Sequence, residues 1–246
     1  MASEQVPRLR MFAGPNGSGK STLKALLRPE LLERYINPDE IEATIRETGV
    51  FDFSNWERVE ENELREFFAG STLLLRAGLQ AQAASLRFEG NELFFAPNEI
   101  NSYFASVIAD LVRRKMVANQ RSFTFETVMS SSDKIEFLRE AKRHEFRIYL
   151  YFVATEDAEI NVSRVANRVT LGGHDVPTDK IVARYYRSLE LLADVIRVAD
   201  RAYIFDNSGS QLDFIAEFEN GQLTDLKNQT PPRWFEVHVL DNVETS

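Results

Sequence analysis

The sequence predicts an α/β fold, a largely parallel sheet flanked by helices, and three observations carry that prediction. An apolar run at residues 9–13 leads into Gly14-Pro15-Asn16-Gly17-Ser18-Gly19-Lys20-Ser21 and then directly into a helical pattern. Five short apolar segments, at residues 9–13, 35–36, 122–126, 146–154 and 202–205, read as strands, and helical periodicities separate most of them. The chain is 43% hydrophobic and 27% charged, which is ordinary for a folded domain and unlike a disordered one. Strands that alternate with helices imply right-handed crossovers and hence parallel pairing.

The helical stripes justify the intervening elements one by one. Leu23, Leu26 and Leu27 share a face, as do Ile41 and Ile45. Ile135, Leu138 and Lys142 form a third stripe, and Ile181, Tyr185, Leu189 and Leu192 a fourth. Pro29 suits a first helical position, and Asp133 with Glu136 fits a capping box. Residues 49–98 break the rhythm, being rich in acids and in aromatics such as Phe51, Phe53, Trp56, Phe68 and Phe95. They read as an insertion between the second and third core strands, with a hairpin at 88–95 around Glu89-Gly90-Asn91. The C-terminal extension, about residues 210–246, reads as antiparallel edge strands at 212–218, 222–226 and 234–240, with an Asn220-Gly221 turn. The 246 residues are therefore expected to form one domain carrying an insertion, a lid at about 160–187 and an edge extension.

Composition excludes several functional classes. With 29 basic and 38 acidic residues, the net charge of −9 repels phosphate backbones, so general nucleic-acid binding is not expected. The absence of cysteine rules out disulfides, thiolate nucleophiles, zinc–thiolate sites and cysteine-held iron–sulfur clusters. Residues 1–10 carry no apolar signal core, and the longest compact apolar run, 149–154, is too short to span a bilayer. A soluble, cytoplasmic protein with no membrane association is expected.

The octapeptide Gly14–Ser21 matches G-x-x-x-x-G-K-[ST], and each residue type has a reason to be there. Gly14, Gly17 and Gly19 let successive backbone N–H groups turn towards phosphate oxygens, and the helix start adds partial positive charge. Lys20 is placed to reach the β- and γ-phosphates and Ser21 to ligate Mg²⁺, with Pro15, Asn16, Ser18 and Thr22 completing the loop. A chance match in a chain of this length has a probability on the order of 1%. The motif implies binding of a nucleoside triphosphate.

Two acids stand where ligands of open α/β sheets bind, beyond the carboxyl ends of strands. Asp39 lies in Asn37-Pro38-Asp39-Glu40 after the second strand, and Glu126 ends the third. A carboxylate there can take a hydroxyl proton or hold Mg²⁺ through water. Asn37 as N-cap, Pro38 behind it and two acids in the first turn are equally what any helix start favours. Further on, Arg164 and Arg168 sit one helical turn apart, away from the apolar stripe Val162, Val165 and Val169. The loop Leu171-Gly172-Gly173-His174-Asp175-Val176-Pro177 follows, then a helix bearing Arg184 and Arg187. In an acidic chain this arginine cluster fits a lid over transferring phosphate oxygens; a solvated hairpin with surface ion pairs is the alternative. His174 fits a loop hydrogen-bonding role better than that of a base.

Part of the sequence resembles ABC transporter ATPases, whose signature loop is similar to residues 171–175, and residues 202–206 look like a Walker B strand. Asn207, however, stands where such an ATPase carries its catalytic glutamate. The combination of Gly14–Thr22, Asn37-Pro38-Asp39-Glu40-Ile41, Phe125-Glu126-Thr127, Gly172-Gly173-His174-Asp175-Val176-Pro177 and Phe205-Asp206-Asn207-Ser208 resembles instead the zeta-toxin family of P-loop kinases, in particular its bacterial branch often labelled as predicted ABC-type ATPases. The resemblance covers about two thirds of the chain, on both sides of the insertion. It implies a P-loop kinase-like sheet in strand order 2-3-1-4-5 and transfer of the γ-phosphoryl of ATP, with Mg²⁺, to a substrate hydroxyl. It further implies Asp39 as general base, Arg164 and Arg168 on the transferred phosphoryl with Arg184 as a third candidate, Glu126 at the substrate, and Asn207 beside the adenine or ribose. The acceptor implied is a small nucleotide-sugar-like metabolite, UDP-N-acetylglucosamine foremost, and the partner an antitoxin protein. A different class of function, an ATP-driven conformational switch that binds a protein partner through residues 49–98, is the competing expectation.

Overall fold

The computed structural model describes residues 6–32, 34–172 and 175–243; Gly173 and His174 of the expected lid loop lie outside them. The chain forms two compact units, Met1–Glu33 with Thr124–Ser246, and Arg34–Phe123. In chain order the elements begin with β1 (Arg8–Ala13), α1 (Lys20–Leu26), β2 (Tyr35–Ile36), α2 (Pro38–Thr48), β3 (Val50–Asp52), α3 (Glu61–Ala69) and α4 (Thr72–Arg76). Next come α5 (Gln80–Ser85), β4 (Arg87–Glu89), β5 (Glu92–Phe94), α6 (Ser102–Ala118), β6 (Phe123–Thr127), α7 (Asp133–Arg143) and β7 (Arg147–Ala154). The chain continues through α8 (Ala158–Thr170), α9 (Thr178–Glu190), α10 (Leu192–Val198), β8 (Arg201–Asp206), β9 (Asp213–Glu219) and β10 (Gln222–Leu226).

The strand order in the main sheet is β10-β9-β8-β7-β1-β6-β2, so the five core strands follow the expected order 2-3-1-4-5. β1 pairs with β7 and β7 with β8 in parallel, with Ala13 opposite Phe152 and Ala154 opposite Asp206. That register brings the carboxyl ends of β1, β7 and β8 level, and the loops that leave them start side by side. Parallel strands covered on both faces need continuous apolar sequence, and Leu9, Met11, Phe12 and Ala13 with Ile148, Leu150, Phe152, Val153 and Ala154 are all buried. β9 and β10 add the antiparallel edge. Their turn uses Asn220 and Gly221, both at positive φ (50° and 82°), the geometry whose twist matches a two-residue hairpin.

Two local expectations are corrected in the first unit. Residues 234–240 are helical rather than extended, with a short α-turn (Arg233–Phe235) running into a π-helical turn (Glu236–Leu240). Pro232 caps this segment, and Trp234, Phe235 and Val239 are all buried; a strand would send the adjacent Trp234 and Phe235 to opposite faces. Trp234 packs at 6.2 Å from Phe152, Phe235 at 6.3 Å from Phe218, and the indole N–H donates to Asp206 Oδ2 at 2.8 Å. The capping box of α7 is not made either. The helix starts at Asp133 with Ser132 as N-cap, which moves Glu136 one position beyond the box, while the Asp133 carboxylate takes the Ser131 hydroxyl and the Lys134 ammonium.

The second unit has its own core. A three-stranded antiparallel sheet, β3-β5-β4, includes the hairpin expected around Gly90-Asn91. The aromatics of residues 49–98 fill the interior: Phe51 and Phe53 meet edge to face at 4.8 Å, and Phe95 meets Phe104 of α6 at 5.6 Å. α2 packs on α6, and Glu63 and Glu57 tie α6 and its C-terminal loop to the insertion through Lys115 (2.9 Å) and Arg121 (3.1 Å). Among the described residues no helix is long and apolar enough to cross a membrane.

The C-terminal helical turn hangs on a hydrogen bond to a buried carboxylate. Replacing Trp234 by Phe keeps the ring packing and removes that bond, which is expected to cost about 1–3 kcal/mol, read by urea denaturation.

Candidate active site: the phosphate-binding loop

β1 ends at Ala13, residues 14–19 turn, and α1 begins at Lys20, so the motif occupies the strand–loop–helix setting that its chemistry requires. The Lys20 side chain is buried against the loop and its ammonium donates to the carbonyls of Gly14 (2.7 Å) and Pro15 (3.0 Å). Ser18 N–H donates to the Pro15 carbonyl at 3.2 Å, closing the turn. Ser18 is fully buried, whereas Ser21 and Thr22 face outwards from α1. Gly19, at φ 105°, is dictated by contact, because a Cβ there would lie 2.0 Å from the side-chain nitrogen of Asn207.

Glu126, on β6, brings a carboxylate oxygen to 3.9 Å from Lys20 Nζ, with the two side chains 17% and 9% exposed. A largely buried pair at this distance is screened less than one at the surface, and its attraction adds to the two carbonyl bonds that fix the ammonium. Arg184 of α9 also reaches the loop and donates to Asn16 Oδ1 at 3.4 Å. Arg164 of α8 donates instead to the Gly209 carbonyl at 3.4 Å, in the connection between β8 and β9. Arg168 is exposed one turn further along α8. α8 and α9 are held as a hairpin by Val165, Val176 and Ile181, with Val162 and Val169 packed against them.

Asn207 follows β8 immediately. Its N–H donates to the Ala154 carbonyl and its amide nitrogen to the Ser18 carbonyl, both at 2.8 Å, so the side chain expected beside a nucleoside holds the loop itself. Asp206 spends its carboxylate on Ser208 N–H and Oγ and on Trp234, each at 2.8 Å. Asp39 lies in the second unit, exposed in the first turn of α2, and its N–H is capped by Asn37 Oδ1 at 2.9 Å. The helix-start role of the Asn37-Pro38-Asp39 run is therefore realised. Among the described residues no group of three or more His, Asp or Glu forms a ready metal site. A Mg²⁺ carried by a triphosphate needs few protein ligands, and the outward Ser21 hydroxyl fits that demand.

No family model matches the chain. A protein of Haemophilus influenzae described only as uncharacterised is 32% identical over 63 residues, which are 26% of this chain and 45% of that protein, so the match spans less than half of the relative. Among solved structures, a chain of the PezAT chromosomal toxin–antitoxin system of Streptococcus pneumoniae is 12% identical with a TM-score of 0.52, over 97% of this chain and 80% of that one. A chain of the AvrRxo1-ORF1:-ORF2 complex with ATP is 15% identical with a TM-score of 0.54, over 90% of this chain and 61% of that one. The chain shares its fold with these two chains.

Within this fold, the structure groups Lys20, Glu126, Arg184 and Asn207 around the loop, and sets Arg164 beside Gly209. It also adds three residues to which the sequence analysis gave no role at the loop. Asn161, on α8 and with no exposed surface, donates from Nδ2 to the Asn16 carbonyl at 2.6 Å. The Thr155 hydroxyl donates to Asn161 Oδ1, and the Tyr185 hydroxyl donates to the Thr155 carbonyl at 2.6 Å. The available signal was a polar residue on the buried face of α8, between Ala158 and Val165.

Burial, reinforced by the charges of Glu156 and Asp157, pushes the Tyr185 hydroxyl well above its usual 10.0. Its folded value lies above the unfolded one, so the associated stability is complete below about pH 10 and is lost as the pH rises beyond it. Urea denaturation at increasing alkaline pH should show that loss, and Tyr185→Phe should make the decline shallower.

Proposed function

We propose that this chain is an ATP- and Mg²⁺-dependent cytoplasmic kinase that transfers the γ-phosphoryl group to a hydroxyl of a small nucleotide-sugar-like metabolite, with UDP-N-acetylglucosamine as the leading acceptor. The observation that carries the reading is the phosphate loop, with Lys20 buried at its base and Glu126 and Arg184 beside it. The similar Streptococcus pneumoniae chain comes from a toxin–antitoxin system, which supports a toxin role and an antitoxin partner here. The similar complex with ATP supports the choice of nucleotide.

In the proposed reaction the acceptor oxygen attacks the γ-phosphorus, the bond to the β–γ bridging oxygen breaks, ADP leaves, and the hydroxyl proton passes to the Asp39 carboxylate. Asp39 is assigned on its place in the sequence, in the first turn after the second core strand. Lys20 and the loop amides bind the triphosphate tail, and Glu126 orients the acceptor or metal-bound water. Arg164 and Arg168 steady the transferring oxygens, and Arg184, the arginine that touches the loop through Asn16, joins them. Ser21 would hold Mg²⁺ together with the triphosphate, and the ion would supply charge neutralisation when bound. Most of the acceleration comes from positioning and charge stabilisation.

Protein incubated with γ-labelled ATP and UDP-N-acetylglucosamine, or a bacterial metabolite extract, is expected to label a small metabolite. Label appearing only as free phosphate would favour a nucleotide-driven switch instead. Asp39→Asn should keep nucleotide binding and lose about 10²–10⁴-fold in transfer. Full transfer by that variant would remove Asp39 from the mechanism. Lys20→Ala should lose both binding and transfer.

A further inference from the structure

A peptide unit is planar, and in the trans form its C=O and N–H point in opposite directions. Every peptide among the described residues is trans. Fixing the Asn16 carbonyl therefore fixes the direction of the Gly17 N–H, and fixing the Ser18 carbonyl fixes that of the Gly19 N–H. Both carbonyls are held by the side chain of an asparagine outside the loop. Asn161 Nδ2 donates to Asn16 O at 2.6 Å, and Asn207 Nδ2 donates to Ser18 O at 2.8 Å. We propose that Asn161 and Asn207 form a paired bracket that aims the Gly17 and Gly19 amides at the triphosphate, which makes both of them positioning residues for nucleotide binding. The inference rests on the nucleotide-binding reading above and extends it to two residues on distant elements.

The two glycines show how closely the bracket grips. A Cβ on Gly17 would meet the Asn161 backbone oxygen at 2.6 Å, and one on Gly19 would meet Asn207 Nδ2 at 2.0 Å. Each asparagine is itself constrained. Asn161 is wholly buried, and the hydroxyl of Thr155 donates to its Oδ1. That contact sets the amide orientation, since a flipped Asn161 would face the Asn16 carbonyl with an oxygen. The Tyr185 hydroxyl in turn fixes the Thr155 carbonyl at 2.6 Å. Asn207 is pinned by its own N–H to Ala154 O at 2.8 Å. Asparagine suits the task because it donates without charge. Aspartate would repel both the carbonyl and the triphosphate, and a cationic side chain would compete with the loop for the phosphates.

Calorimetric titration with Mg·ATP tests the bracket. Wild-type protein should bind, and Asn161→Ala and Asn207→Ala should each weaken binding about tenfold or more. Thr155→Ser keeps the hydroxyl and should bind like wild type, whereas Thr155→Val should follow Asn161→Ala. In ¹⁵N-labelled protein the Gly17 and Gly19 amide protons should move downfield on adding Mg·ATP. Asn161→Ala should abolish the Gly17 shift and leave the Gly19 shift, a selectivity that general loosening would not produce. If the alanine variants do not fold, the Thr155 pair carries the comparison. Wild-type binding with equal affinity in both Thr155 variants and both asparagine variants overturns the bracket alone. A wild-type protein that binds no nucleotide overturns the bracket and the reading beneath it together.

Discussion

Carbonyls buried in the turn at residues 14–18 must find donors, and that requirement organises the first unit of this protein. The carbonyls of Gly14 and Pro15 are taken by the Lys20 ammonium, that of Asn16 by Asn161 and that of Ser18 by Asn207. Each bond contributes about 1 kcal/mol, but a buried carbonyl left without a donor costs about 1–3 kcal/mol, so the set is worth more for what it prevents than for what it adds. The sheet register delivers the donors. Because Ala13 lies opposite Phe152 and Ala154 opposite Asp206, the residues that follow β1, β7 and β8 emerge together; Asn207 meets the loop directly, and Thr155 acts on it through Asn161.

Charge follows the same plan. The chain as a whole carries −9, yet the surroundings of the loop collect Lys20, Arg184 and, towards Gly209, Arg164. On the nucleotide-binding reading proposed above, such a local cationic site would focus attraction on a small polyanion. Glu126, 3.9 Å from the Lys20 ammonium, tempers that field.

Much of this was legible in the sequence where the signal is local. The motif and its flanking strand and helix, the five core strands and the Asn220-Gly221 turn all depend on residues close together in the chain, whereas the strand order was implied by the resemblance and not by any local signal. Residues 234–240 were misread because their apolar pattern fits a strand as well as a turn of helix. The packing of Trp234 on Phe152 and its bond to Asp206, 28 residues away, belong to tertiary structure. The capping box of α7 failed by one residue, the usual uncertainty of a helix start.

The loop's supports were least legible, since Asn161 stands 145 residues from Asn16 and Asn207 stands 189 from Ser18. No spacing rule reaches across such distances. The carboxamide of Asn207 holds a carbonyl where a nucleoside contact was expected, and Arg164 meets Gly209 rather than the loop, with Arg184 taking the nearer place. A crystal structure of the protein with Mg²⁺ and a non-hydrolysable ATP analogue tests the account most directly. The β-phosphate should lie within hydrogen-bonding distance of the Gly17, Gly19 and Lys20 amides, with the Asn16 and Ser18 carbonyls still turned outwards to their asparagines. A triphosphate bound away from residues 14–21, or bound there with those two carbonyls released, would contradict it.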